Sequence, residues 1–151
     1  MLEINKNYKA KLLGLETPEE RNMRTLKIAI PEEKTIFKGV SVFLDNAKNA
    51  STTLTIWLTN IIRQNKLKIE LPTPGNIEYL QEIENKYKGK DPHKVASSLM
   101  LNILEELAEK QIEFEVTYTR NFDEKRRKYY TNLVPYVIET DDNVETELIK
   151  Y

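Results

Sequence analysis

A chain of 151 residues is long enough for one compact domain and crowded for two. Apolar residues make up 40% and charged residues 31%, and no stretch approaches the eighteen or so apolar residues that a membrane span needs. A net charge of −1 argues against a globally basic nucleic-acid binder, and the lack of any Cys removes disulfides and thiol chemistry.

The first third reads as β-structure. Tyr8 to Leu15 alternates, with Lys9 and Lys11 on one face and Tyr8, Ala10 and Leu12 on the other. Gly14 falls where that strand is expected to bend. Thr17 to Asn22 is a polar connection, after which Leu26, Ile28 and Ile30 alternate with Thr25, Lys27 and Ala29 until Pro31 stops the strand. Ile36 to Leu44 carries a third strand through Val40, Val42 and Leu44, completing a meander.

The middle reads as helical. Ser51 or Thr52 is the expected N-cap of a helix bearing Leu54, Trp57, Leu58, Ile61 and Ile62 at three- and four-residue spacing. Leu71 to Gly75, with two prolines, breaks the chain. A weaker amphipathic helix through Ile77, Leu80, Ile83 and Tyr87 is expected to end at Gly89. Pro92 suits the first turn of another helix, with Val95, Leu99, Ile103 or Leu104, and Leu107 as its core face.

A long β-hairpin closes the pattern from Gln111 to Ile138. Ile112, Phe114, Val116 and Tyr118 alternate with Glu113, Glu115, Thr117 and Thr119. Asn121 to Glu124 is the expected turn, followed by the cations Lys125, Arg126, Arg127 and Lys128 and a second arm beginning Tyr129-Tyr130. The order βββ, two or three helices, ββ predicts a mainly β domain with a helical insertion (α+β). It fits a five-stranded OB-like barrel with the helices between strands three and four. A sheet with helices on one face is the alternative. The expected domain covers residues 1–138 with the insertion at about 50–110, and 139–151 form an acidic tail.

Little of the sequence carries catalytic chemistry. A lone His93 and no Cys leave no metal set and no His-based triad, and the four glycines are too scattered for a phosphate-cradling loop. His93 reads as a solvated residue at a helix start. Glu19-Glu20, Glu105-Glu106 and Asp141-Asp142 read as surface pairs, so no enzyme, metal or cofactor is expected.

The hairpin, in contrast, combines four adjacent cations with aromatics, since Tyr118, Phe122, Tyr129, Tyr130 and Tyr136 are five of thirteen aromatic residues. Cations hold a nucleic-acid backbone, and aromatic rings stack on bases regardless of sequence. The bland reading is that the tip keeps an exposed ribbon soluble. The run is consecutive, so alternate side chains are expected on opposite faces of the ribbon, pairing Arg126 with Lys128 and Lys125 with Arg127, and Arg120 could join either pair. In a barrel of this type the loops after strands one and four flank the binding face. Arg21 and Arg24 are expected in the first of those loops and the Lys125 to Lys128 run in the second, so with Lys9 and Lys11 they are candidates to complete the surface.

On these residues the chain resembles the small phage- and prophage-encoded single-stranded-DNA-binding proteins of the OB type. The resemblance rests on Tyr8 to Leu15, Arg24 to Ile30, and the hairpin from Phe114 to Tyr118 and from Lys128 to Leu133. It implies sequence-tolerant binding of single-stranded DNA in phage-type replication or recombination, without catalysis. It implies partners among replication or recombination proteins through the acidic tail, and no membrane. The helical insertion is expected to serve dimerisation or a partner, and the start of the chain, which lacks the features of a signal peptide, implies a cytoplasmic location in a bacterial host. Phosphate contacts are expected from Arg120 and Lys125 to Lys128, and stacking from Phe122, Tyr129 and Tyr130. A protein–protein adaptor or inhibitor of a host protein is the rival reading.

Overall fold

In the computed structural model, residues 2–18, 21–72, 81–82, 85–86 and 88–137 are described. The expected helix residues Ile77, Leu80, Ile83 and Tyr87, the Glu19-Glu20 pair and the acidic stretch 139–151 lie outside them.

Three strands come first: β1 (Asn7–Glu16), β2 (Met23–Ile30) and β3 (Thr35–Phe43), with a single 3-10 turn, Pro31–Glu33, between the last two. Helices α1 (Ala47–Asn65) and α2 (Pro92–Glu109) follow, with residues 81–82 and 85–86 between them also helical, and then the hairpin β4 (Glu113–Asp123) and β5 (Lys128–Pro135). All neighbouring strands are antiparallel, in the order β3-β2-β1-β4-β5. The sheet curls into a half-barrel, and the expected OB-like architecture of five strands with helices inserted after the third is the one found.

The curl originates in β1. Its first half, Asn7 to Lys11, pairs with β4, and its second half, Lys11 to Glu16, pairs with β2. The register slips between Leu12 and Gly14, where Gly14 has φ 155°. A bulge adds twist to the strand that carries it, which bends β1 where the sequence predicts. A second slip, between Leu26 and Ile28, curls β2 and β3 in turn. The curl brings the inward Phe37 of β3 edge-on to Tyr118 of β4, at 6.2 Å between ring centres.

Alternation decides which side is core. Tyr8, Ala10 and Leu12, with Leu26, Ile28, Ile30, Val40, Val42, Phe114, Val116 and Leu133, are buried on one face of the sheet. The helices cover that face. Trp57 of α1 is buried, as its neighbours Leu54, Leu58 and Ile61 predict, and meets Phe114 edge-on at 6.2 Å. Burying an aromatic ring of this size removes a large apolar area from water and adds about 0.5–1.5 kcal/mol for the ring pair.

Two local expectations are revised. Helix α1 begins a turn earlier than Ser51, with Asn46 as its cap, whose side chain accepts from the Asn49 N–H at 3.3 Å. Ser51 is buried instead, with its Oγ 3.1 Å from His93 Nδ1, so His93 is half-buried and partnered rather than solvated. Helix α2 starts at Pro92 as predicted, capped by Asp91, but its buried stripe is Ala96, Met100, Leu104 and Leu107. Val95, Leu99 and Ile103 are only partly covered. Among the described residues, no helix is long and apolar enough to cross a membrane.

Candidate nucleic-acid interface

The pairing of β4 is unequal on its two sides. It meets β1 only from Glu113 to Thr117 but pairs with β5 from Val116 to Asp123. Asn5 and Lys6 add backbone bonds to Tyr118, and there the support from the N-terminal side ends. From Thr119 to Asn132 the hairpin is therefore a two-stranded arm that overshoots the start of β1.

The root of the arm is fixed to the body. Gln64, near the end of α1, donates from Nε2 to the carbonyls of Glu115 at 3.0 Å and Tyr136 at 2.8 Å, and its Oε1 accepts from the Glu115 N–H. Asn65 Nδ2 donates to the Glu113 carbonyl at 2.9 Å. These bonds join α1 to the start of β4 and to the residue after β5, inside the body and below the arm.

The tip differs from the sequence expectation. Both strands run on to the Asp123–Lys128 pair, so the turn is Glu124 to Arg127 rather than Asn121 to Glu124. The Asp123 carboxylate accepts from the Lys125 N–H at 3.0 Å and the Arg126 N–H at 3.3 Å, a side-chain turn that Asp readily forms. Arg127 closes the loop with a left-handed φ of 52°. Strand alternation therefore does not divide the four cations into two pairs. Lys125, Arg126 and Arg127 are exposed in the loop, and only Lys128 lies on a strand. The Arg126 Nε stands 4.0 Å from Asp123 but is highly exposed, which makes that pair weak. Among the described residues no carboxylate pairs with Lys125, Arg127 or Lys128.

Phe122, expected in a turn, is on β4 directly opposite Tyr129. Their rings lie 5.0 Å apart, inclined at 62°. The Arg120 guanidinium sits over the Tyr129 ring at 4.2 Å, a cation–π contact. Because Tyr118 and Leu133 face the core and oppose each other, alternation carries the same face outward through Arg120, Phe122 and Tyr129. Tyr130, opposite Asn121, is on the reverse face. Phe122, Tyr129 and Tyr130 are 49%, 62% and 50% exposed, far beyond what a packing role leaves uncovered. The Arg120–Tyr129 contact was not anticipated, although extending the alternation of Phe114 to Tyr118 by two steps puts Arg120 and Phe122 on one face.

The other candidates lie elsewhere. Lys9 and Lys11 are at the sheet centre on its outer face, opposite Glu115 and Glu113, and Lys11 reaches Glu113 at 3.6 Å. Arg21 is exposed and Arg24 half-buried, its Nη1 donating to the Met23 carbonyl at 3.0 Å. Both follow the end of β1 from which the arm points away. The strand between is of ten residues, about 30 Å along its path at roughly 3.3 Å per residue. Screening at physiological salt acts over about 8 Å, so Arg21 and Arg24 form a separate patch. The arm brings together Arg120, Phe122 and Lys125 to Tyr130, and leaves the other four cations outside the cluster.

A second concave feature lies between the edge strands. Gly39 to Phe43 of β3 and Asn132 to Pro135 of β5 face each other across a cleft of about 470 Å³, floored by Thr53, Ile56 and Trp57 of α1. Among the described residues, no group of three or more His, Cys, Asp or Glu side chains is placed to hold a metal ion. No family model matches the chain, and no curated protein or solved structure matches it either.

Proposed function

We propose that the chain is a non-catalytic, sequence-tolerant single-stranded-DNA-binding protein that grips its ligand with the β4–β5 arm. The observation that carries the reading is the arm itself: three exposed aromatic rings and a cationic loop, in which Lys125 and Arg127 meet no carboxylate among the described residues, on a ribbon that continues the sheet beyond β1. Stacking on such rings contributes about 1–3 kcal/mol per base and does not depend on base identity, because every base has a π-face. Lys125 to Lys128 would meet the backbone next to those bases. The resemblance to phage single-stranded-DNA-binding proteins supports the same assignment and suggests replication or recombination in a bacterial cytoplasm as its setting. Recruitment of partner enzymes by the acidic stretch 139–151 belongs to the same proposal.

Fluorescence anisotropy with a labelled oligonucleotide tests this. With about three to five phosphates neutralised, log K should fall with log salt at a slope of about −2 to −3.5. Absence of binding at low salt, or binding indifferent to salt, contradicts the reading. A protein–protein adaptor is favoured by one different observation, the open cleft between β3 and β5, the edge strands of the sheet among the described residues, where an extended peptide could add a strand. Retention of a host protein on the immobilised chain after nuclease treatment, with no affinity for oligonucleotide, would support the adaptor instead.

A further inference from the structure

Both faces of the arm are open. Arg120 to Phe122 and Glu124 to Thr131 are exposed without interruption, whichever way each side chain points. The register assigns Arg120, Phe122 and Tyr129 to one face and Asn121 and Tyr130 to the other. Each face therefore carries an aromatic platform, and the cationic loop lies at the end shared by both.

We propose that the arm holds two single strands per chain, one on each face. The inference rests on the nucleic-acid reading above and extends it. The faces are chemically unlike. On the first, Tyr129 is braced by the Arg120 guanidinium over its ring at 4.2 Å and by Phe122 edge-on at 5.0 Å, a prebuilt cluster with one ring side committed to the cation. On the second, no ring or cation among the described residues lies over Tyr130, and the Asn121 amide, which donates to the Thr119 hydroxyl at 3.3 Å, stands opposite. A layer packed on one face of a sheet lies about 10 Å from it, so layers on opposite faces are about 20 Å apart, beyond the screening length of about 8 Å at physiological salt. Two phosphate backbones can therefore flank the ribbon without prohibitive repulsion, with Lys125, Arg126 and Arg127 between them at the tip. A chain that holds one strand on each face raises the local concentration of each near the other, while the ribbon between them keeps their bases apart until one is released.

Native mass spectrometry of the full chain with an oligothymidylate of about eight nucleotides reads the stoichiometry. The expected result is two oligonucleotides per chain at low salt. Tyr130→Ala should reduce this to one, the remaining site keeping its affinity within about threefold. Phe122→Ala combined with Tyr129→Ala should also leave one, on the opposite face. Energy transfer between donor- and acceptor-labelled oligonucleotides should be present with the parent chain and lost with Tyr130→Ala. All of these positions are exposed, and an unchanged thermal midpoint verifies that the variants fold. Saturation at one oligonucleotide per chain, or Tyr130→Ala retaining two, overturns the two-face proposal while leaving single-strand binding intact. Absence of any binding at low salt overturns the underlying reading as well.

Discussion

Arg120, Phe122 and Tyr129 owe their arrangement to a register in which every second residue of a paired ribbon shares a face, so a core pair at Tyr118 and Leu133 dictates what stands two and four residues further out. The tip obeys different rules. Asp123 captures two backbone N–H groups, and Arg127 takes a left-handed conformation, which frees the intervening cations from the strand. Arg126→Ala combined with Arg127→Ala should weaken binding to oligonucleotides of every sequence about equally. It should also flatten the salt dependence by about 1.4, since each phosphate contact on a single strand contributes about 0.7 to the slope. Anisotropy titrations at several salt concentrations check both numbers. Asn and Asp in Asn121-Phe122-Asp123-Glu124 announced a turn from sequence. The turn lies downstream at Glu124 to Arg127, with Asp123 capping it and strand pairing claiming Asn121 and Phe122.

Among the elements, the strands were legible because a half-buried sheet forces period two on its sequence, as in Tyr8, Ala10 and Leu12 against Lys9 and Lys11. The start of α1 was not, because Ala47 to Ala50 contains no large apolar residue to mark a stripe. In α2, Val95 and Ala96, Leu99 and Met100, and Ile103 and Leu104 offer two adjacent stripes, and only packing against α1 and β1 chooses between them. Strand β3 contains a further constraint. The Phe37 ring, edge-on to Tyr118, lies over Gly39, where an added Cβ would come within 2.6 Å of it. Gly39→Ala should therefore push Phe37 off Tyr118 and destabilise the chain by about 1–3 kcal/mol, the usual cost of overpacking. Chemical denaturation would show this as a lower midpoint with an unchanged m-value.

The whole molecule divides into a body and an arm. The body is a half-barrel whose curl is set by bulges in β1 and β2 and whose interior is filled by two helices. Strand number and helical insertion could be inferred from chain order, but strand overhang could not, since it depends on where β1 starts relative to β4. That overhang keeps the loop after β4 away from Arg21 and Arg24, so binding is assigned to the arm rather than to a groove between two loops. The most direct test replaces Arg120 to Thr131 by Asn-Gly, a two-residue turn suited to a hairpin, directly after Thr119 and before Asn132. The shortened chain keeps Gln64, Asn65 and every buried strand residue. In an anisotropy titration with labelled oligothymidylate at low salt, it should unfold at the parent midpoint and show no binding. Parent-like affinity in the shortened chain would contradict the assignment of single-strand binding to the arm.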